Sequence, residues 1–494
     1  MKKLVLSIVA LAVVALTGNN AIARNVTEAE AAQAAACYME YNTMHEGVVA
    51  SDLRLAHRID GEVAVAAYCF NVSDWGWVII SGSTVVDPIM AYSDEGNLGE
   101  WETLAPAMRW WVEMCAGEIS KVQVADIEGK FADHQEWSEL FSGKMSSNAK
   151  DGDPRVILLS SKWDQGDERH PTYNLFCPYD STTNRYSITG CVATAMAQIV
   201  RYYGYPIVPK GRKNYYTDPP LSFNLRLKFD TLRFDYSLMP DRLLNSSPRP
   251  QIENVAWLNY ACGVSVEMDY SPDGSGTQSS QVDDAMKNHF KYQMGTYLER
   301  RYTTTDNFIS TIRNDLMLRR PVYMSGASSS GSGADAAGHA WVCCGYRTDN
   351  NKMYYMNWGW AGGGDAFFNI YDNTANAMYI SGYGYTFNLS QAVITGMIPP
   401  HPDSSAVDFM TPIRLVEDNT VLAPAYPNPA AFSVTLPYSI SSAAEMQILS
   451  VDGRLVATRR LLPGNGQVTL DVSGMPAGIY VYRVGGQSGK FVVN

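Results

Sequence analysis

Two short polar segments divide this 494-residue chain into parts with different patterns, and that division limits what the chain can fold into. Residues 142–154 (SGKMSSNAKDGDP) and residues 399–412 (PPHPDSSAVDFMTP) are rich in the small, polar and proline residues that are typical of linkers. A chain of this length also exceeds what one hydrophobic core organises. We therefore expect about two to four domains.

The first 23 residues have the three parts of a secretory signal peptide. Two lysines follow Met1, an apolar run covers residues 4–17, and Ala21-Ile22-Ala23 predicts cleavage after Ala23. A membrane anchor is the alternative, but the apolar run is shorter than the ~20 residues that a membrane span needs. We therefore expect an exported protein without a transmembrane anchor after cleavage.

The bulk composition narrows the classes of partner and cofactor. A net charge of -12 argues against nucleic acid or an anionic membrane as a partner, because both require a basic surface. Eight cysteines are too few and too scattered for a disulfide scaffold. No His-x-x-x-His or Cys-x-x-Cys pair occurs, so the sequence predicts no metal site, and no organic cofactor is expected. Five cysteines in apolar surroundings are predicted to be buried: Cys37, Cys69, Cys115, Cys177 and Cys262.

The part before the first linker predicts a small α+β domain. Residues 27–40 predict a helix with Thr27 as N-cap and Glu30 completing a capping box. Short β-rich runs follow at 64–72 and 75–81, and helical periodicity returns over 106–122. The apolar side of this second helix is expected to carry Trp110, Trp111 and Met114.

The other two parts differ from each other in pattern. Residues 155–400 combine a clear helix near Cys191 with several β-rich runs, including the apolar run around Cys343 and Cys344, which indicates an α+β fold. Residues 424–494 alternate apolar and polar positions in short runs, with Asp452-Gly453 as a hairpin turn. That last part predicts a small all-β sandwich, and it contains neither histidine nor cysteine.

Cys191 is the candidate nucleophile. Only a thiolate attacks well, so a reactive cysteine needs a device that lowers its pKa. Thr189-Gly190 predicts a turn before Cys191, and the helix formers that follow place the cysteine on the first turn of a helix. There the helix dipole favours an anion, and the backbone N–H of Cys191 is free to bind an oxyanion. For a lone cysteine, burial for packing is the alternative.

His339 is the candidate proton-transfer partner. It follows a loop of glycine and serine and opens an apolar run, GHAWV. Its spacing from Cys191 is 148 residues (339 − 191), within the ~130 to 150 seen between the cysteine and its distal partners in papain-like enzymes. Two polar residues complete the candidate site. Asn357, in MNWGW, could accept a hydrogen bond from the imidazole, and the Gln165 amide could donate to an oxyanion.

In this order, the segments around Gln165, Cys191, His339 and Asn357 resemble the streptopain family of papain-fold cysteine peptidases. The resemblance continues through GVSVEMDYSPDGSGTQSS, residues 263–280, and covers about 155–400. It implies a Cys191 nucleophile, a His339 general base and acid, and an oxyanion hole made by Gln165 with the Cys191 amide. It requires no cofactor and no metal.

The resemblance also implies substrate-binding positions. Gly276 and Gly338 match positions that line the substrate, while Asn357 and Trp358 are supporting residues. The loop over residues 325–339 is longer than the family's pattern, so subsite preference is not carried over with the other roles. A hydrophobic residue two places before the scissile bond remains the hypothesis that the family suggests.

The flanking parts resemble the companions of such an enzyme. The segment FNVSDWGWVIISGSTVVDPIMAYSDEG looks like the family's pro-segment, which would act as an intramolecular inhibitor; a retained accessory domain is the alternative. The tail resembles a type IX secretion sorting domain that export machinery recognises, with generic adhesion or sugar binding as the alternative. The predicted boundaries are 1–23 for the signal peptide, 24–150 for the pro-domain, 151–400 for the peptidase, 401–423 for a linker and 424–494 for the sorting domain.

The predicted function is therefore that of a secreted cysteine endopeptidase, made as a zymogen, acting on proteins or peptides through a thioester on Cys191. Two alternatives from other classes remain open. A thiol acyltransferase or amidase shares the acyl-enzyme chemistry and differs only in the acceptor. A catalytically silent binding protein is the other, although loss of activity would typically remove one of the four candidate residues, and all four are present.

Overall fold

The structure, a computed structural model, falls into two compact units, Met1–Val407 and Asp408–Asn494. The residues that it describes are 24–126, 133–145, 153–293, 296–327, 338–370, 391–400, 421–422, 425–440, 444–450, 455–461, 464–484 and 487–494. The predicted signal peptide, the centre of the first linker and most of the loop before His339 lie outside these ranges. None of the described helices is long and apolar enough to cross a membrane.

Among the described residues, the front part of the first unit contains three α-helices and four strands. The elements are α1 (Glu28–Asn42), β1 (Leu53–Asp60), β2 (Val65–Val72), β3 (Gly76–Ser81), β4 (Ile89–Ser93), α2 (Pro106–Ala125) and α3 (Glu136–Ser142). Helix α1 begins where the sequence predicts, since the Thr27 side chain accepts from the Glu30 N–H and the Glu30 carboxylate accepts from the Thr27 N–H. The predicted strands and second helix are likewise confirmed.

The central part adds four helices and eleven strands. Its helices are α4 (Cys191–Tyr203), α5 (Arg249–Ser265), α6 (Gln281–Asn288) and α7 (Thr305–Met317). Its strands are β5 (Arg155–Ile157), β6 (Tyr179–Asp180), β7 (Arg185–Tyr186), β8 (Arg212–Tyr216), β9 (Asn224–Lys228), β10 (Tyr297–Glu299), β11 (Val322–Ala327), β12 (Gly338–Arg347), β13 (Met353–Asn357), β14 (Ala366–Asn369) and β15 (Ala392–Ile394). The predicted buried strand around Cys343 and Cys344 is β12. The five cysteines predicted to be buried are buried as well.

One sheet runs through both parts. Its strand order is β1-β2-β3-β4-β14-β13-β12-β11-β15-β10, with β5 paired to β12. The seam is the antiparallel pair β4–β14, in which Phe367 faces Tyr92 and Phe368 faces Ala91. Both phenylalanines are buried, Phe367 stacked on Tyr92 with ring centres 5.5 Å apart. The front and central parts therefore share a continuous sheet and a continuous core, whereas the sequence predicts two separate domains.

Two cations beside the seam reinforce it. Arg347, fully buried at the end of β12, donates to the Asn42 carbonyl of α1 at 3.0 Å and to the Tyr92 hydroxyl. Lys352, between β12 and β13, binds Asp87 and Glu136 at 2.8 Å each. A positive charge in a partly buried site needs such partners, because water can no longer solvate it fully. These contacts join the front part to the central part well away from Cys191.

The second unit is all β, as predicted. Its strands are β16 (Val421–Leu422), β17 (Ser433–Ile440), β18 (Ala444–Ser450), β19 (Leu455–Leu461), β20 (Gly464–Asp471), β21 (Gly478–Val484) and β22 (Gln487–Val493). They form a three-stranded sheet, β16-β17-β20, and a four-stranded sheet, β19-β18-β21-β22. Tyr480 and Tyr482 are buried against Phe491, so they serve packing. The predicted Asp452-Gly453 turn lies outside the described residues.

Candidate active site

Cys191 is the first residue of α4, as predicted. Gly190 caps the helix with φ +84°, and a Cβ there would press on the Met268 side chain and the Ser275 carbonyl, so only glycine fits. The rest of α4 is largely buried, which fixes its direction. The thiol therefore lies at the amino end of a rigid helix, where the helix dipole favours a thiolate.

The surroundings of the thiol act on its pKa in two directions. Burial raises the pKa of the Cys191 thiol above its ordinary value. Backbone N–H groups of Ala340, Val192 and Cys191 itself oppose that rise by hydrogen bonding. Because Ala340 follows His339 directly, strand β12 delivers its backbone, rather than the histidine ring, to the thiol. In this state the Cys191 thiol remains largely protonated near neutral pH.

His339 is not bonded to the candidate nucleophile in this structure. No hydrogen bond joins its imidazole to the Cys191 thiol within the part of the chain that the structure describes. Its ring centre instead lies 6.5 Å from that of Trp110 on α2. Burial lowers the pKa of His339, and the nearby Arg109 charge lowers it further. The imidazole is therefore held neutral beside the front part of the chain.

Trp110 occupies a notch formed by the central part. A Cβ on Gly326 of β11 would clash with the Trp110 indole and would lie 3.3 Å from Trp341. The Trp341 and Trp110 ring centres are 6.2 Å apart, and Gly326 pairs directly with His339 across the β11–β12 ladder. Glycine at position 326 thus makes room for the tryptophan next to the histidine.

The candidate oxyanion donor Gln165 is held beside the nucleophile. Its carbonyl accepts from the Thr189 N–H at 3.0 Å, two residues before Cys191. The following Gly166 packs against the buried Asn174 side chain, whose Nδ2 donates to the carbonyls of Asp167 and Ser187. Among the described residues the Gln165 side-chain amide has no hydrogen-bond partner. The Gln165 backbone is therefore fixed two residues from the candidate nucleophile, and its role as oxyanion donor remains a prediction.

Asn357 is close to the nucleophile helix, but its side chain is occupied. The Oδ1 atom accepts from Gln198 Nε2 at 2.9 Å and from the Gly359 N–H at 3.1 Å. The Nδ2 atom donates to the Ser161 carbonyl at 2.6 Å. In this state Asn357 accepts no bond from His339, so the predicted support of the imidazole by Asn357 remains a prediction.

The predicted substrate-binding residues lie at different depths. Gly276 is exposed, and its neighbour Ser275 packs on Gly190 and donates to the Ile188 carbonyl at 2.7 Å. Gly338 is exposed at the start of β12. Trp358 is 2% exposed and lies 5.0 Å from Phe368 and 5.1 Å from Trp341, ring centre to ring centre. Both glycines are therefore exposed, whereas Trp358 lies beneath the surface, and the substrate-binding role of all three remains a prediction.

A group of side chains near the seam resembles a metal site in composition. Asp87, His134 and Glu136 have ligand atoms within 4.8 Å of one another. The Lys352 ammonium binds both carboxylates, and His134 Nε2 lies 2.9 Å from Asp87. Although burial opposes it, hydrogen bonds from His134 and the charge of Lys352 keep the pKa of Asp87 below its ordinary value. The lysine supplies the positive charge here, so the group is an ion-pair cluster.

Two functional candidates, Gln198 and Trp110, were not predicted from the sequence. Gln198 had a sequence signal, since it is a glutamine between the apolar residues Ala197 and Ile199, two turns after Cys191. Trp110 was expected on an apolar helix face, but nothing local indicated that it would reach His339. That contact joins residues 229 positions apart (339 − 110), so no spacing rule could reveal it.

Three regions of the chain match known families. Residues 163–368 match the Peptidase C10 family, residues 23–119 match the Spi protease inhibitor family, and residues 424–494 match a secretion system C-terminal sorting domain. These matches confirm the predicted likeness of all three parts.

Individual relatives agree with the family matches. Streptopain of Streptococcus pyogenes serotype M28 (strain MGAS6180) is 29% identical over 371 residues, covering 71% of this chain and 85% of streptopain. Thiol protease/hemagglutinin PrtT of Porphyromonas gingivalis is 29% identical over 248 residues, which are 50% of this chain and 27% of that protein. A solved fragment of Prevotella intermedia prointerpain A superposes with a TM-score of 0.53 at 23% identity, covering 71% of this chain and 99% of the fragment, which supports the fold.

Proposed function

We propose that this chain is a secreted cysteine-type peptidase with Cys191 as its nucleophile, made as a zymogen whose front part is similar to the Spi protease inhibitor family and whose catalytic part is similar to the Peptidase C10 family. His339 is its general base and acid. The observation that supports the assignment is the position of Cys191 on the first turn of α4, two residues after Thr189, whose N–H donates to the Gln165 carbonyl. The other seven cysteines are buried, so Cys191 alone is reachable by a substrate.

The proposed reaction follows from these positions. His339 first takes the proton of the Cys191 thiol. The resulting thiolate attacks the carbonyl carbon of a peptide bond, and the oxyanion receives hydrogen bonds from the Gln165 amide and the Cys191 N–H. The His339 imidazolium then protonates the leaving amine as the C–N bond breaks. In the second half, His339 takes a proton from water, which attacks the thioester and releases the acid and the thiol. Each step needs His339 within hydrogen-bond reach of the reacting group.

Latency is the consequence of where His339 lies now. Trp110 of α2 packs beside the imidazole, and the Arg109 charge acts on it. Gly326, which pairs with His339 across the β11–β12 ladder, leaves room for the indole. While α2 stays in place, the imidazole is away from the thiol and the thiol is protonated. We propose that the front part is an intramolecular inhibitor and that its removal lets His339 turn towards Cys191.

The partners follow from the same assignment. Protein or peptide segments are the proposed substrates, and a hydrophobic residue two places before the scissile bond is the proposed preference. The machinery of type IX secretion is the proposed partner of residues 424–494. A peptide library with that position varied tests the preference, which is discarded if all side chains are cleaved equally.

Self-processing provides the direct test of the nucleophile. The full wild-type chain, incubated under reducing conditions, is expected to yield a shortened product beginning near residues 145–155, and the product is expected to hydrolyse casein. Cys191→Ala should do neither. Cys262→Ala, at a fully buried thiol, is the control and should process normally. Casein hydrolysis that survives Cys191→Ala would refute the assignment, and shortening of both chains alike would refute self-processing.

A further inference from the structure

Gln198 is a polar residue among the buried apolar residues of α4. It lies seven positions (198 − 191), or two turns, after Cys191 and therefore on nearly the same face of α4. Its side chain is fully buried. A buried amide without partners costs about 1–3 kcal/mol, so a glutamine here requires hydrogen bonds on both its oxygen and its nitrogen.

The surroundings supply those bonds. Gln198 Oε1 accepts from Ser161 Oγ at 2.9 Å and from the Trp163 N–H at 3.3 Å. Gln198 Nε2 donates to Asn357 Oδ1 at 2.9 Å. The Gln198 side chain thus joins α4 to residues 161–163, which lead to Gln165, and to Asn357 at the end of β13.

Backbone groups fix the direction of these bonds. Asn357 must present its oxygen to the Gly359 N–H, which can only donate, and its nitrogen to the Ser161 carbonyl, which can only accept. Gln198 must therefore turn its nitrogen towards Asn357 and its oxygen towards Ser161 and Trp163. Each amide has one orientation, and the two lock each other.

Resting on the function proposed above, we propose that Gln198 is a positioning residue for peptide hydrolysis. It fixes the nucleophile helix relative to two segments: 161–165, which carries the oxyanion donor, and 357–359, which carries Asn357. It acts through Ser161, Trp163 and Asn357 and does not touch the substrate. Its loss displaces the reacting groups from one another, which lowers the rate of the chemical step more than substrate binding.

The first test is Gln198→Met, measured on the full chain after processing. Turnover is expressed per reactive thiol, titrated with a thiol-directed covalent inhibitor, so that misfolded protein does not count. We expect kcat to fall about 10- to 100-fold with KM changed less than about threefold. The matched control is Asn259→Leu, which removes another fully buried amide, on α5. Its kcat per thiol should stay near that of the wild type.

The second test, Gln198→Glu, separates positioning from packing and remains informative if the methionine variant does not fold. The groups that bond to the Gln198 side chain, Ser161, Trp163 and Asn357, carry no charge. The charged residue of α4 is Arg201, whose guanidinium lies over the Trp163 ring and stays protonated, so the added titration belongs to the introduced carboxyl. When it is protonated, that carboxyl donates to Asn357 Oδ1 as the amide does. When it is ionised, it has no proton to donate to Asn357. Relative to the wild type at each pH, kcat per thiol should be near normal in acid and fall as the pH rises.

The outcomes are distinguishable. Wild-type kcat per thiol in Gln198→Met, an equal loss in Asn259→Leu, or a wild-type pH profile in Gln198→Glu each overturns the positioning role. Cys191→Ala is measured in the same series. Hydrolysis that persists there counts against the proposed function itself, whereas an inactive Cys191→Ala beside a normal Gln198→Met counts against the positioning role alone.

Discussion

The indole of Trp110 lies 6.5 Å from the imidazole of His339, ring centre to ring centre, and the two residues come from different parts of one zymogen. Trp110 is on α2 of the inhibitor-like part, and His339 opens β12 of the peptidase part. This contact explains why a chain with all of its candidate catalytic groups is latent. It also makes latency testable without changing the candidate catalytic residues.

Truncating the Trp110 side chain should weaken latency. Trp110→Ala removes the ring that contacts His339 and Trp341, and we expect self-processing to become about tenfold faster because the histidine is released more often. The time course of processing, followed by gel electrophoresis, measures this. Trp101→Ala is the matched control, since Trp101 is a partly exposed tryptophan that donates to Glu113 within the same part. Equal acceleration in both variants would point to general destabilisation.

A larger residue at position 326 should also weaken the contact between Trp110 and the central part, this time by a change in the central part. Gly326→Ala places a methyl group against the Trp110 indole, and overpacking of this kind costs about 1–3 kcal/mol. We expect the zymogen to be destabilised while the processed enzyme, which lacks Trp110, keeps its kcat within about threefold. Denaturant unfolding of both forms measures this. The control Gly117→Ala adds a methyl group to α2 where no atom lies within 4 Å. A processed enzyme as impaired as its zymogen would contradict the explanation.

The lysine at the seam should stabilise the zymogen. Lys352→Met leaves Asp87, whose side chain is only 4% exposed, without its cationic partner, and we expect a loss of about 1–3 kcal/mol in unfolding free energy. Processing should become faster as well. In the control Lys121→Met the lost ion pair with Glu118 involves a half-exposed lysine, for which a change within about 0.5 kcal/mol is expected. Equal losses of unfolding free energy in the two variants would show that the buried ion pair of Lys352 stabilises the fold no more than an exposed one.

Asp365 should make stability depend on pH. Burial raises the pKa of this carboxyl to about 7, although the Trp358 N–H donates to it. A group whose folded-state pKa lies above its unfolded value stabilises the fold when protonated, so stability is highest in acid and declines as the pH rises from about 4 to about 7. Asp365→Asn removes that decline. Denaturant midpoints from pH 4 to 8 measure it, with the exposed Asp60→Asn as control. Parallel pH curves for Asp365→Asn and the wild type would contradict this role.

Features set by local sequence were predictable. The start of α4 at Cys191, the capping box at Thr27 and the buried strand around Cys343 depend on residues a few positions apart, and the structure has all three. The front and central parts were expected to be separate because the linker between them is polar, and nothing in β4 or β14 alone reveals that they pair.

The roles of Cys191, His339, Gln165 and Asn357 remain predictions. The Gln165 carbonyl accepts from the Thr189 N–H, two residues before Cys191, which agrees with the predicted proximity of these segments. The orientation of His339 depends on Trp110, and the hydrogen bonds of Asn357 depend on Gln198. Both are contacts between distant positions, set by packing that no periodicity or spacing encodes.

Strand β14 forms one ladder with β13 and the other with β4, so its two neighbours come from opposite sides of the predicted processing linker. A chain begun after that linker would have to fold with one edge of β14 unpaired and without the front-part rings Trp77, Tyr92 and Trp111 that pack on Phe367 and Phe368. An unpaired edge with aromatic side chains is a template for aggregation during synthesis. We therefore expect the catalytic part to fold efficiently only when residues 24–126 are present, in the same chain or added separately. The front part would then act as a folding template before it acts as an inhibitor.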